Sequence, residues 1–410
     1  MNEPIRVLHF SDIHIGMENY GGTDPNTGLS TRVLDFVRRM DRMIEIARER
    51  DVDVAIFAGD AFKSRNPSPT FQREFAFRIQ DLAELCPVVL LVGNHDLPTI
   101  EKRASSIEIY ETLRVHNTFL GRDYGLQVIE TKRGPVVVAT APYPVRNHLL
   151  QDINLPHRAT IAEIDALMEL ELDRKLQQLA QEASQYDMPR ILTGHFSVSE
   201  AMLGSERSIM LGRDVTVMLS TVADPAWDYV ALGHIHRHQC LTGKRQPPVV
   251  YSGSLERIDF GEENDPKGFV CADVSRGRTQ WEFIEVDCRP FVTLRIDVKG
   301  KGNPTQKVLD EIVRHDLRDA VVRVLISADP ESDLLLQDRL IHQALERANI
   351  YHLATIQRAV ERPARMRLGA SPEGLSAEEL LHRYLLTKEV PLDRIGVLME
   401  HAQQIFTSED

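Results

Sequence analysis

Short apolar runs recur through the first two-thirds of this 410-residue chain, at 5–10, 52–58, 87–92, 136–141, 190–193, 229–232 and 249–251. Most are continuous rather than alternating, as expected for strands covered on both faces, and helical stretches lie between them. That pattern predicts a layered α/β fold, with sheets flanked by helices. Three helices are expected: 29–50, capped at Ser30 or Thr31; 70–85, after Pro-Ser-Pro; and 160–186, long and periodic. At 42% hydrophobic and 27% charged residues, the chain has enough apolar surface to fold rather than stay disordered.

Beyond residue 288 the pattern changes to strand 291–298, helix 305–315, strand 321–326, helix 332–348 and strand 351–356. The order β-α-β-α-β predicts a small α+β capping domain. A turn-rich stretch, Gly369-Ala-Ser-Pro-Glu-Gly-Leu375, then leads to two short helices, 377–387 and 392–406, separated at Pro391. The expected organisation is therefore 1–288, a catalytic domain; 289–368, a cap; and 369–410, a linker with a C-terminal helix pair. Each helix of that pair carries an apolar face, including Leu380 and Leu385 on one and Ile395 and Leu398 on the other. Two helices of this length bury little alone, so the face either docks on its own body or meets a partner.

Met1 to Pro4 lead straight into the first strand with no room for a leader, and no apolar run is long enough for a bilayer. The expectation is a soluble cytoplasmic protein without membrane contact. Cys86, Cys240, Cys271 and Cys288 are scattered, which reads as free thiols rather than a zinc or redox motif. The net charge of −13 argues against DNA binding through bulk electrostatics. Its distribution is uneven, about −11 over 1–288, about +3 over 289–368 and about −5 beyond, and bound divalent cations would offset part of the acidic excess.

Five segments place metal-type ligands just after strands: Ser11-Asp12-Ile13-His14, Gly59-Asp60, Gly93-Asn94-His95-Asp96, Gly194-His195 and Gly233-His234-Ile235-His236. Groups at the carboxyl ends of strands converge in layered α/β folds. Glycine before four of the five is expected to let the backbone turn. In Asp-x-His and His-x-His, residues two apart on an extended chain share a side, so both can face one centre. Asp12, His14, Asp60, Asn94, His195, His234 and His236 make seven nitrogen and oxygen ligands with no thiolate. That exceeds one zinc ion, which takes four, and suits two ions bridged by a carboxylate, with Asp60 the natural bridge. Manganese, iron and zinc all remain open on ligand chemistry. His95, on the same turn as Asn94, is placed to donate a proton or stabilise charge on a phosphate, with Asp96 expected to orient its imidazole.

The order of these motifs resembles that of the calcineurin-like metallophosphoesterases, which implies a β-sandwich flanked by helices. Within that superfamily, three features resemble the SbcD nucleases: the ending Asn94-His95-Asp96; the stretch Tyr251-Ser-Gly-Ser-Leu-Glu-Arg257 continuing through Asp259-Phe-Gly-Glu262 to Lys267-Gly-Phe269; and the cap with its helix pair. The resemblance implies a manganese-dependent exonuclease and endonuclease acting at DNA double-strand ends, with magnesium, iron or zinc as other candidate ions. One ion would be held by Asp12, His14, Asp60 and His236, the other by Asp60, Asn94, His195 and His234, and His95 would assist cleavage. It also implies a homodimer and an ABC-type ATPase partner with a coiled coil, SbcC, met through Leu380, Leu385, Ile395 and Leu398. Archaeal members carry a histidine three residues after the second-motif aspartate, where this chain has Lys63. A lysine can contact phosphate as a point charge but cannot shuttle protons near neutral pH as imidazole does.

Lys63, Arg65, Lys102 and Arg103 near the motif loops, and Arg358, Arg362, Arg365 and Arg367 in the cap, are candidate contacts to the DNA backbone. Two other readings compete with a nuclease: a phosphodiesterase or phosphatase acting on small or protein-bound esters, and a non-catalytic DNA-end scaffold. The first shares the metal site but leaves the cap and tail without a role. The second is disfavoured because no ligand of the set is missing.

Overall fold

Two six-stranded sheets organise the computed structural model, which describes residues 3–98, 103–151, 153, 159–204, 214–361, 376–388 and 390–406. The first sheet runs Arg278–Glu285, Gly268–Ser275, Ile5–Phe10, Val54–Phe57, Val88–Leu91, Thr118–Gly121, its last four strands parallel. The second runs Gln239–Cys240, Val249–Tyr251, Tyr229–Gly233, Arg190–His195, Gly134–Ala141, Gly125–Thr131, with four parallel strands between antiparallel edges.

The continuous apolar character of the central strands follows from this arrangement. Along Ile5–Phe10, Ile5 and Val7 face the second sheet, against Val138, Ile191 and Tyr229. Leu8 and Phe10 face the other way, into a core built with helices Thr31–Glu49 and Pro69–Leu85. The second sheet buries Ala139, Leu192 and Leu232 under helix Ile161–Ala183. The order of layers is thus helix, sheet, sheet, helix, a β-sandwich flanked by helices whose central parallel strands are covered on both sides. The three expected helices form and start at side-chain caps: Ser30, Ser68 and Thr160, the last in a capping box with Glu163.

The hairpin of Gly268–Ser275 and Arg278–Glu285 is not among the expected strands, although its inner strand holds the short apolar run Phe269–Ala272. Its outer strand alternates exposed and partly covered residues, so it carries no continuous apolar run. A three-stranded sheet follows, in the order Phe291–Asp297, Val321–Ala328, His352–Val360. The single helix expected over 332–348 is two, Pro330–Leu335 and Asp338–Arg347. Leu336 between them is extended, with ψ 128°, and Asp329 with Pro330 starts the first as a separate capped turn.

Chain contacts define two compact units, one of residues 1–294, 315–323 and 345–355, the other of residues 295–314, 324–344 and 356–410. In the second, helix Pro304–Arg314 buries Val308 and Ile312. Helices Ala377–Thr387 and Leu392–Phe406 occupy the expected ranges. Ile395 is buried, Leu380 and Leu385 are half-buried, and Leu398 is exposed beside Val397. Cys86, Cys271 and Cys288 are buried free thiols and Cys240 is partly covered. Among the described residues no helix is long and apolar enough to cross a membrane.

Candidate metal centre

Four of the seven expected ligands have backbone conformations that side chains other than glycine rarely adopt: Asp12 (φ 53°), His14 (φ 49°), Asp60 (φ 63°) and His234 (φ 92°). Such strain persists only where surrounding structure overrides it, and it concentrates at functional sites. Here the override is visible. The Asp12 N–H donates to Gly59 O at 2.9 Å and the His14 N–H to Asp60 O at 3.1 Å, so the loops after two adjacent parallel strands are laced together. The His234 N–H, from the other sheet, donates to the Asp12 carboxylate at 3.1 Å. Asp12 and His14 therefore converge through paired left-handed turns and not through the alternation of an extended chain.

The motif glycines also act differently from expectation. Only Gly59 has a left-handed φ, 99°. At Gly93, Gly194 and Gly233 the constraint is space: an added Cβ would lie 2.2 Å from Asp60 Oδ1, 2.6 Å from Phe196 and 2.2 Å from Ala58 O, respectively.

The side chains meet in one buried cluster. Asp60 Oδ2 lies 3.7 Å from His14 Nε2 and 3.4 Å from His195 Nε2, between two groups of ligands. On one side His14 Nε2 faces His236 Nε2 at 3.0 Å, with Asp12 close by. On the other, Asn94 Oδ1 lies 3.0 Å from both His195 Nε2 and His234 Nδ1. Donor atoms about 2.1 Å from a common ion in tetrahedral or octahedral geometry lie about 3.0 to 3.4 Å apart, so these spacings fit metal ligation. Nitrogen and oxygen donors on both sides of one central carboxylate fit a pair of ions better than one.

Three of the imidazoles are held by their other nitrogen. His195 Nδ1–H donates to Ala58 O at 2.6 Å. His234 turns Nε2 to Asp214 at 2.8 Å and His236 turns Nδ1 to Glu262 at 2.8 Å. Such outer partners fix tautomer and ring orientation. Glu262 in turn meets Lys267 Nζ at 2.9 Å, and Lys267 also donates to His236 O and Ser254 Oγ. Asp214 accepts from Tyr143 OH at 3.3 Å and from Ser197 Oγ. Ser11 Oγ donates to Asp12 and sits 2.7 Å from Ser252 Oγ.

Sequence reasoning did not find Asp214, Lys267 or Tyr143, nor the role of Glu262. Glu262 and Lys267 stand within the stretch 251–269 noted above, but no spacing rule ties them to a histidine at 236. No local signal marks Asp214.

Electrostatics follow the packing. Burial opposes a charge on Asp60, yet His195 and His14 hold its carboxyl well below the ordinary range. Burial also acts to lower the His195 pKa, but Asp60 pushes it up to about 9. Burial, then His236, holds His14 well below the usual imidazole value. At Glu262 burial would raise the carboxyl, and Lys267 with His236 brings it far down.

Asp96 does not orient His95. Its carboxylate accepts the backbone N–H groups of Asp60 at 2.9 Å, Ala61 at 3.0 Å and Gly93 at 3.0 Å, so it stitches two ligand loops together. Burial, then the charge of Asp60, pushes it up to about 7. His95 is held instead by Lys63 O, 2.8 Å from its Nδ1, and by its own N–H on Asp60 Oδ1 at 2.8 Å. Its ring meets that of His14 edge-on at 4.8 Å, within reach of the cluster and partly exposed.

Of the expected DNA contacts, Lys63, Arg65 and Arg103 are exposed. Arg358 is engaged by Asp333 at 3.2 Å and by Asp338, so its guanidinium already has carboxylate partners. Lys102, Arg362, Arg365 and Arg367 lie outside the described residues.

The family model for calcineurin-like phosphoesterases matches residues 5–238, which carry all seven ligands. The chain belongs to that family. This phosphoesterase is also 26% identical over 295 residues to the SbcD component of the SbcCD nuclease of Bacillus subtilis, covering 68% of this chain and 69% of that one. It is 26% identical over 332 residues to the Rhodobacter capsulatus protein of the same name, 77% of each chain. It is 24% identical over 424 residues to the DNA double-strand break repair protein Mre11 of Archaeoglobus fulgidus, covering 97% of this chain and 84% of that one.

Proposed function

We propose that this phosphoesterase is a metal-dependent nuclease that hydrolyses phosphodiesters at DNA ends. Support for DNA over a small ester comes from the extent of the likeness: relatives named as nuclease and break-repair proteins match beyond the metal centre, one of them along 97% of this chain. Asp12, His14, Asp60 and His236 would hold one ion and Asp60, Asn94, His195 and His234 the other, manganese being favoured and iron, magnesium or zinc chemically acceptable. When bound, such a pair supplies an activated water and stabilises the attacking and leaving oxygens.

The chain's own groups do the rest. Asp60, set between two imidazoles, bridges the two halves of the site. Asp214 and Glu262 accept from His234 and His236, leaving the opposite ring nitrogens directed inward. With Nδ1–H donating to Lys63 O, His95 keeps Nε2 for proton transfer at the phosphate or leaving oxygen. Because Lys63 stands where archaeal relatives have a second histidine, His95 carries that task alone. Lys63, Arg65 and Arg103, all exposed, would meet the backbone phosphates. The homodimer and the ATPase partner belong to the same reading, with exposed Leu398 and its neighbours the contact to test.

The decisive experiment is hydrolysis of a labelled duplex with manganese or with chelator, alongside His95→Ala. Expected is manganese-dependent cleavage in which His95→Ala lowers kcat by about 10²-fold or more while both ions stay bound. Hydrolysis of bis(p-nitrophenyl) phosphate without cleavage of any DNA would overturn the nuclease reading in favour of small esters.

A further inference from the structure

His14 and His236 face each other at 3.0 Å, and the chain beyond each of them reaches the same small aromatic cluster. On the loop after His14, Tyr20 places its ring 5.7 Å from that of Phe260 and 5.7 Å from that of Phe291. Phe260 and Phe291 meet edge-on at 5.0 Å. Phe260 opens the short helical turn Phe260–Glu262, whose last residue holds His236 Nδ1, and Phe291 opens strand Phe291–Asp297 of the three-stranded sheet.

The turn is tied to the start of that strand in two further ways, and every contact lies within the first compact unit. The Glu263 carboxylate accepts the Thr293 N–H at 2.8 Å and the Thr293 hydroxyl. The Arg257 guanidinium donates to Glu262 O at 3.3 Å, Asp265 O at 3.2 Å and Arg289 O at 3.2 Å, so it closes the turn on itself and joins it to the residue that leads into the strand. Arg323, on the neighbouring strand, lies over the Phe260 ring at 4.4 Å and donates to Thr293 Oγ1 at 2.8 Å. Held inside these contacts, Glu262 turns one oxygen to His236 while the other accepts the Ile258 N–H at 2.9 Å.

The other half of the site is backed differently. His234 rests on Asp214, which Ser197 and Tyr143 hold, and none of these groups hydrogen-bonds to residues 289–293 among the described residues. An outer partner sets metal affinity by fixing its ligand ring, and a residue that fixes the partner acts one step further out. We infer that Phe260 and Glu263 are positioning residues for one ion only: through Glu262 and His236, the placement of strand Phe291–Asp297 sets the affinity of the ion held by Asp12, His14, Asp60 and His236. The inference rests on the two-ion reading above. Linkage makes the effect reciprocal, so filling that half steadies the strand, and displacing the strand releases that ion before the other. Whatever moves the strand thereby disarms the pair while one ion stays bound.

The test is calorimetric titration of the full chain with manganese, with thermal midpoints in chelator to establish that each variant folds. Expected is binding of two ions by the natural chain; in Glu263→Ala and in Phe260→Ala one of them binds about 3- to 30-fold more weakly while the other keeps its affinity. Glu263→Gln retains an acceptor for the Thr293 N–H and should stay within about 2-fold of the natural chain. Hydrogen exchange supplies the reciprocal measurement: manganese should slow exchange of the backbone amides of 289–295 in the natural chain and not in Glu263→Ala. Two ions unchanged in the folded variants, an equal weakening of both, or exchange over 289–295 that is indifferent to manganese in the natural chain would overturn the inference. Fewer than two ions bound by the natural chain would instead defeat the two-ion reading and this inference with it.

Discussion

Glu262→Gln perturbs a single charge that the structure uses twice. Glu262 is 0% exposed; one oxygen lies 2.8 Å from His236 Nδ1 and the other 2.9 Å from Lys267 Nζ. Glutamine keeps the size and one acceptor but leaves the Lys267 ammonium, itself 1% exposed, without a counter-charge. Removing one partner of a buried ion pair costs about 3 to 5 kcal/mol, and for a unit of this size that lowers the thermal midpoint by roughly 10 °C. A weaker acceptor at His236 Nδ1 also loosens the ring, which typically costs about 10- to 100-fold in metal affinity. Two measurements separate these effects: thermal unfolding in chelator for the charge, and manganese titration for the ring. The double variant with Lys267→Met removes the orphaned ammonium and should recover much of the lost stability but none of the metal affinity. An unchanged midpoint in Glu262→Gln, or a double variant less stable than the single, would refute the role given to this pair.

His9, buried between the sheets with Nδ1 3.0 Å from Tyr229 OH and Nε2 3.2 Å from Leu232 O, is held by burial at a pKa of about 3, against 6.5 unperturbed. Between those values the unfolded chain takes up a proton that the folded chain refuses, so this contribution to stability is complete above pH 6.5 and declines as pH falls toward 3, by up to about 1.4 kcal/mol per pH unit. His9→Gln should show a shallower loss over that window in chemical unfolding measured at several pH values. Gly93→Ala places a methyl 2.2 Å from Asp60 Oδ1, so it should displace the Asp60 carboxylate and reduce bound metal as measured by elemental analysis, with a modest change in fold stability. Asp214→Asn leaves His234 with an amide in place of a carboxylate; manganese affinity should fall about 10- to 100-fold, and calorimetric titration would detect it.

The candidate ligands could be picked out of the sequence because each stands at or just after the end of a strand, and within each parallel sheet the hydrogen-bond ladder brings neighbouring strand ends together; that the ends of the two sheets meet, placing His195, His234 and His236 against Asp12, Asp60 and Asn94, is a product of sheet packing. Continuous apolar runs identified the covered strands and capping residues identified the long helices, since both are local consequences of side-chain pattern. Pairing was not legible. The hairpin Gly268–Ser275 with Arg278–Glu285 lies on the edge of a sheet, where charge on the outer face interrupts the apolar signal. The residues that orient the site were also beyond local reading: Asp214 reaches His234 across 20 positions, Glu262 reaches His236 across 26, and Asp96 binds N–H groups 35 and 36 positions earlier. Donor atoms near one ion are dictated by residue type, which sequence carries; which nitrogen of each imidazole points inward depends on what lies behind it, and only the packed chain decides that.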